Sequence, residues 1–405
     1  MLGFAQGALT YIIPFLLVLT LVVTVHELGH FLAARAFGVA VDRFSIGFGR
    51  SIAKWTDRAG VQWRIGWAPL GGYVRFAGDA NAASVPDGDD LEALRREIVA
   101  REGVGAEKRY YHFKPIWQRA VIAAAGPLAN FVLAIVLFAL LLTAFGKVIY
   151  PARVDGVVPG SPAERAGFHV GDVVVRADGR RIDSFLDLRQ VVFLRAGAPT
   201  AFVVERDGRK LTLTATPQRQ TVSDEMGGQA RVGVLGIESR ESLRDRQVRR
   251  YNPVQAVGGG VEMTWNILDT TVYYLGRLVS GQETADQLGG PLRIAQASGQ
   301  AAKEGAAGAG DVGSMLLGAG VALLNLAAVL SVGIGFMNLL PVPVLDGGHL
   351  LFYAYEAVAR RPLDARVQAA GYRVGLALLV GLMLFATWND LQQLRVFKFL
   401  GDLLS

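Results

Sequence analysis

Four stretches of this chain carry no charged side chain: Met1–Val25, Ala120–Phe145, Val312–Leu345 and the shorter Val374–Asn389. A bilayer core of roughly 30 Å is crossed by about 20 apolar helical residues. The first three runs meet that length outright. The fourth reaches it with Ala369–Tyr372 and with Arg373, whose charge can snorkel to the headgroups. Buried helices of a large soluble enzyme usually give runs of about 10–14 residues, too short to account for these. A cleaved signal peptide does not fit the first run: it has no basic start and no A-x-A site, and it continues directly into His26 and Glu27. The pattern predicts an α-helical multi-pass membrane protein with about four transmembrane helices.

The expected order is a first span at 1–34, a polar segment at 35–118, a second span at 119–146, a compact domain at 147–220, a linker with interfacial helices at 221–311, a third span at 312–345, a turn at 346–367, a fourth span at 368–392 and a tail at 393–405. Within the first polar segment, Val41–Gly49 and Trp63–Phe76 are rich in β-branched and aromatic residues broken by glycines, and are read as strands or hairpins. Residues 79–109 are acidic, basic and small, and are read as a mobile surface loop. In the compact domain Ser161 is expected as a helix N-cap, with Pro162 at the first helical position and Glu164 completing a capping box. Strands follow at 173–175, 201–205 and 210–216, with turns at Asp178-Gly179 and Asp207-Gly208. That is a small α/β or β-rich module. Residues 244–300, with Trp265, Tyr273, Tyr274 and Arg277, fit a helix lying at the membrane interface, and 301–313 reads as a Gly/Ala linker.

The formal net charge of +6 suits loops beside anionic lipid and gives no case for nucleic acid. Arg35, Arg43 and Arg50 follow the first span, and Arg360, Arg361 and Arg366 lie between the third and fourth. The positive-inside rule puts these loops in the cytoplasm and residues 146–311 outside it; Arg395 and Lys398 weigh the other way. The chain has no cysteine, so there is no disulfide framework and any metal must be held by nitrogen and oxygen.

His26-Glu27-Leu28-Gly29-His30 is an H-E-x-x-H motif. Residues four apart share a helix face, so His26 and His30 can grip one Zn²⁺ while Glu27 takes a proton from an activated water. Three ionisable groups at the end of a membrane helix are costly unless they serve a function. A catalytic zinc takes a third protein ligand. Asp346, which follows the broken-helix sequence Pro341-Val342-Pro343, is the leading candidate, and His349 competes with it. The same Asp could instead cap a juxtamembrane turn. Asn338 could hydrogen-bond a substrate backbone or a developing oxyanion, or could glue helices together. In Gly126-Pro127-Leu128-Ala129-Asn130 the small residues allow close helix approach, and Asn130 is read as site architecture with a catalytic contact.

HELGHF at 26–31, FSIGFG at 44–49, PLGGYV at 69–74, GPLANF at 126–131 and PVPVLDGGHLLF at 341–352 resemble the site-2 protease family of intramembrane metalloproteases. The resemblance covers nearly the whole chain. It implies His26, His30 and Asp346 as ligands of one zinc, the one cofactor expected, and Glu27 as the catalytic residue. It implies that the 151–217 module is a PDZ domain, matched loosely by Gly171, Asp172, Val174 and Gly179, and that a membrane β-hairpin aligning substrate lies at 41–76. The best-known relatives carry two tandem PDZ domains; this chain has room for one. Implied substrates are single-span membrane proteins already trimmed outside, such as anti-sigma factors or remnant signal peptides. The charge pattern is read as that of a bacterial inner-membrane protein whose site opens toward the cytoplasm, and the chain is expected to be a monomer. A transporter using intramembrane His and Asp would instead show paired half-repeats, which the sequence lacks. A catalytically silent PDZ scaffold would show a degraded zinc motif.

Overall fold

The computed structural model describes residues 2–78, 88–223, 229–239, 247–281, 289–361 and 363–393. Its helices are α1 (Leu2–Ala36), α2 (Gly88–Glu102), α3 (Ile116–Phe145), α4 (Pro162–Ala166), α5 (Phe185–Leu194), α6 (Pro253–Val279), α7 (Pro291–Ala306), α8 (Val312–Leu339), α9 (Asp346–Ala359) and α10 (Ala365–Gln393). The chain divides into two units: Met1–Leu141, Ala256–Thr271 and Gly289–Trp388 form the first, and Leu142–Gln255, Val272–Leu288 and Asn389–Ser405 the second.

In the first unit α1, α3, α8 and α10 are each long and apolar enough to cross a membrane. Val18 and Val22 of α1, Ala134, Leu137 and Phe138 of α3, and Ala327, Ala328 and Val332 of α8 form a shared core. The alanines let the backbones approach closely, which suits helices that gain nothing from hiding apolar surface from lipid. On the opposite face of α3, Leu128, Val132, Val136 and Leu140 are all more than half exposed at intervals of four residues. Such a stripe is unfavourable in water and satisfied in hydrocarbon.

Strands β1 (Val41–Thr56) and β2 (Gln62–Phe76), where strands or hairpins are expected at 41–49 and 63–76, pair antiparallel. Both fold back on themselves. Phe44 pairs with Val74 on one side and Trp63 on the other, while Trp63 also pairs with Trp55. The later half of β2 is therefore an edge, and it runs beside α1: Thr20 Oγ1 donates to Pro69 O at 2.7 Å. Phe31 on α1 meets Phe44 and Trp63 edge-on, closing a small core under the sheet.

Several elements differ from the sequence-based expectation. Residues 88–102, read as loop, form α2, which buries Ile98 and packs the partly buried Leu94 beside it; residues 79–87 lie outside the described residues. The expected linker 301–313 is helical to Ala306 because α7 packs on α1 and α8, where Gly305 and Gly318 meet backbone to backbone. The third span ends at Leu339 rather than at 345, and most of the expected turn 346–367 is α9. Nearly all of the expected tail, with Arg395 and Lys398, lies outside the described residues.

The second unit contains β3 (Lys147–Ile149), β4 (Gly156–Val157), β5 (Val173–Ala177), β6 (Arg180–Arg181), β7 (Thr200–Arg206), β8 (Arg209–Ala215), β9 (Gln218–Ser223), β10 (Gln229–Val234), β11 (Ile237–Glu238) and β12 (Gln247–Arg249). Its main sheet has the order β6-β5-β7-β8. Both expected turns close tight hairpins: Asp178-Gly179 and Asp207-Gly208 all have positive φ, which the two-residue turn demands. Val174, Phe202, Val204 and Leu188 fill the core. Ser161 caps α4, but the Glu164 carboxylate takes the N–H of Gly160 instead of closing the box on Ser161. The module draws on residues beyond 220: β11 pairs with β4, and Leu235 enters the core. Arg277, expected at a membrane interface, is buried here and donates to Ala196 O at 3.0 Å.

Candidate metal centre

Helix α1 presents His26 and His30 one turn apart, and their Nε2 atoms lie 3.2 Å from each other. Asp346, the first residue of α9, brings its Oδ2 to 3.1 Å from His26 Nε2 and 3.5 Å from His30 Nε2. Among the described residues these three form the cluster able to hold a metal. His26 is buried and the other two are half-buried.

The remaining ring nitrogens are both engaged. His30 Nδ1 is 2.8 Å from the carbonyl of Ile122 on α3, so it must carry the proton. His26 Nδ1 is 3.3 Å from the side-chain amide of Asn130, which is fully buried. Asn130 Oδ1 has no partner in the orientation assigned, and rotating the amide half a turn gives that oxygen the His26 Nδ1 proton. Both histidines then turn unprotonated Nε2 lone pairs toward one point, beside a carboxylate oxygen. Two facing lone pairs repel unless a cation sits between them. Nitrogen and oxygen ligands about 2.0–2.1 Å from a tetrahedral Zn²⁺ stand about 3.3 Å apart, close to the three distances seen. The donor set therefore fits zinc.

Glu27 points to the sheet: its Oε2 accepts the N–H of Val74, 3.1 Å away on the β2 edge. Gly126 has a steric reason for being glycine. A Cβ there would stand 2.2 Å from His30 Nε2. His349 does not join the triangle; its ring meets the Tyr372 hydroxyl of α10 at 3.1 Å. Asn338, in the last turn of α8, is tied to the cluster by no hydrogen bond among the described residues.

The model of peptidase family M50 matches residues 14–382. This chain belongs to peptidase family M50, the site-2 protease family. A metalloprotease of Caulobacter vibrioides is 52% identical over 399 residues, covering 98% of this chain and 100% of its own. Proteins provisionally named zinc metalloproteases are 44% identical in Agrobacterium fabrum and 31% identical in Rickettsia conorii, covering 96% and 95% of this chain and 98% and 99% of their own. As an M50 member the chain is a zinc metalloprotease with transmembrane helices.

For the M50 site, the H-E-x-x-H spacing and the aspartate after Pro-Val-Pro gave enough signal to nominate the cluster. Two contributions were invisible in the sequence: the Ile122 carbonyl that fixes His30 and the Val74 N–H that holds Glu27. Both come from the backbone, which every residue possesses.

Proposed function

We propose that the chain is an intramembrane endopeptidase that holds one zinc on His26, His30 and Asp346 and cuts single-span membrane proteins. The observation that carries this reading is the ligand triangle with both Nδ1 protons already assigned elsewhere. Zinc bound there supplies a Lewis acid that polarises a peptide carbonyl and lowers the pKa of a water. Glu27 takes the proton of the attacking water on its carboxylate and passes it to the leaving amide nitrogen. Its hydrogen bond from Val74 keeps that carboxylate beside the β2 edge, where an extended substrate adds as a further strand. Asn130 orients His26. Asn338, whose amide has no internal partner among the described residues, is left to meet the substrate backbone.

The arginines that follow α1 and α9 support a cytoplasm-facing site in a bacterial inner membrane, with the module of the second unit on the outer side. That module is PDZ-like in this reading, supported by its Gly171-Asp172 strand entry and its small sheet with two helices, and it admits or recruits substrates by their outer portions. The substrates are of the anti-sigma-factor or remnant-signal-peptide kind. Zinc analysis of purified variants tests the ligand set. Asp346→Ala should lose zinc together with cleavage of a single-span substrate, whereas His349→Ala should keep its zinc. Zinc that follows His349 would displace Asp346 from the set.

A further inference from the structure

The two ligand-bearing helices, α1 and α9, are joined by no covalent neighbour, yet their ligand atoms meet to within a few tenths of an ångström of a zinc geometry. One short segment, the approach to α3 and its first turns, reaches all three elements that carry the site: α1, β2 and α9. Lys114 Nζ donates to Phe37 O at the end of α1, 2.7 Å away. The Ile122 carbonyl holds His30. Tyr111 stacks on Phe76, the last residue of the strand that holds Glu27, at 5.0 Å between ring centres. Its hydroxyl lies 2.8 Å from that of Tyr353 on α9. Arg119 pairs with Glu356 on α9 at 2.8 Å and lies over the Tyr353 ring at 4.9 Å. Arg119 Nε is itself held by Lys114 O at 3.1 Å. Asp346, Tyr353 and Glu356 fall within about 80° of one another around α9, so a clamp on the last two fixes the rotation of the first.

We infer that Tyr111 and Arg119 are positioning residues that set Asp346 against His26 and His30 by clamping α9 through Tyr353 and Glu356. Arg119 and Glu356 are mostly shielded, with 17% and 21% of their side chains exposed, so the pair is held more firmly than one on an open surface. The lever is long: Glu356 lies about 15 Å along the helix from Asp346. Releasing it lets α9 turn or slide, and the ligand triangle opens.

This inference rests on the zinc reading above. Its test is chelator competition for zinc on the full-length chain in detergent, with wild type, Arg119→Ala, Glu356→Ala and the double variant. Each single variant should weaken zinc binding about tenfold, the scale known for residues that orient metal ligands. The double variant should weaken it no further, because one clamp has been removed in each case. Unchanged affinity, or losses that multiply in the double variant, would overturn the inference. Tyr353→Phe, which deletes only a hydroxyl, serves where the alanine variants do not fold. It should weaken zinc about threefold, and unaltered affinity would overturn the inference equally. A wild-type chain that holds no zinc would defeat the underlying reading instead, so the two failures are distinct.

Discussion

Asn130 is the residue whose chemistry is most specific to its place. A side-chain amide wholly buried on α3 is costly unless it is hydrogen-bonded. Its backbone carbonyl takes the Ser331 hydroxyl of α8 at 2.8 Å, and its side chain faces His26 Nδ1. Asn130→Leu keeps the volume and deletes the acceptor, leaving the imidazole free to rotate or change tautomer. Zinc affinity should fall about 10–100-fold, read by chelator competition. Undiminished affinity would mean that His26 is oriented by packing alone. The contrast with Asn338 is instructive. Both asparagines stand out in apolar helices, but Asn130 meets a ligand histidine whereas the Asn338 side chain makes no hydrogen bond among the described residues. Sequence can flag a costly polar residue; it does not show what stands opposite.

Among the elements, the span helices and the hairpins were readable because their signals are local. An uncharged run long enough to cross a bilayer has few competing explanations, and Asp-Gly between alternating apolar residues sets a turn by sterics alone. Helices α2 and α9 were not readable for different reasons. The interior contacts of α2 come down to Leu94 and Ile98, four residues apart, among charged neighbours, and its two-residue stripe is too thin to register. Helix α9 starts three residues after Pro343 and has glycines at its second and third positions, all three of them ordinary signs of a turn. Its Tyr353 and Glu356 meet Tyr111 and Arg119, which lie far away in the sequence, so no local pattern announces those contacts.

The buried pair inside the second unit gives a prediction at this same scale. Arg206 grips Asp172 with two hydrogen bonds, at 2.6 and 2.8 Å, while the His169 N–H donates to the same carboxylate. Burial pushes the Asp172 carboxyl up, but Arg206 and that N–H outweigh it and hold it below the usual range. The unfolded chain therefore binds this proton more readily than the folded one. The resulting stabilisation is complete above the ordinary aspartate pKa of about 3.9 and is lost as pH falls through the folded value. The chain has no native cysteine, so Val204→Cys, fully buried on β7, reports opening of the module by thiol labelling in urea. Adding Arg206→Ala should destabilise the module by about 3 kcal/mol, moving labelling to lower urea. It should also remove much of the loss of protection below about pH 4. Identical midpoints in the two proteins would mean the pair contributes nothing.

For the molecule as a whole, the proposal turns on which side of the membrane each segment occupies. Ala93 on α2 and Thr212 on β8 are both exposed and tolerate a cysteine. In intact cells stripped of their outer membrane, an impermeant thiol reagent should label Thr212→Cys, while Ala93→Cys stays protected until the membrane is opened. The reverse pattern would place the arginine-rich loops outside and overturn a cytoplasm-facing site. In the proposed mechanism Glu27 moves the proton while His26, His30 and Asp346 hold the metal, and one variant separates the two jobs. Glu27→Gln keeps every ligand and the shape of the side chain but removes the base. The purified variant should retain its zinc and cleave a single-span substrate about 10³-fold more slowly, or not measurably. Cleavage at more than a few per cent of the wild-type rate, with zinc still bound, would contradict it.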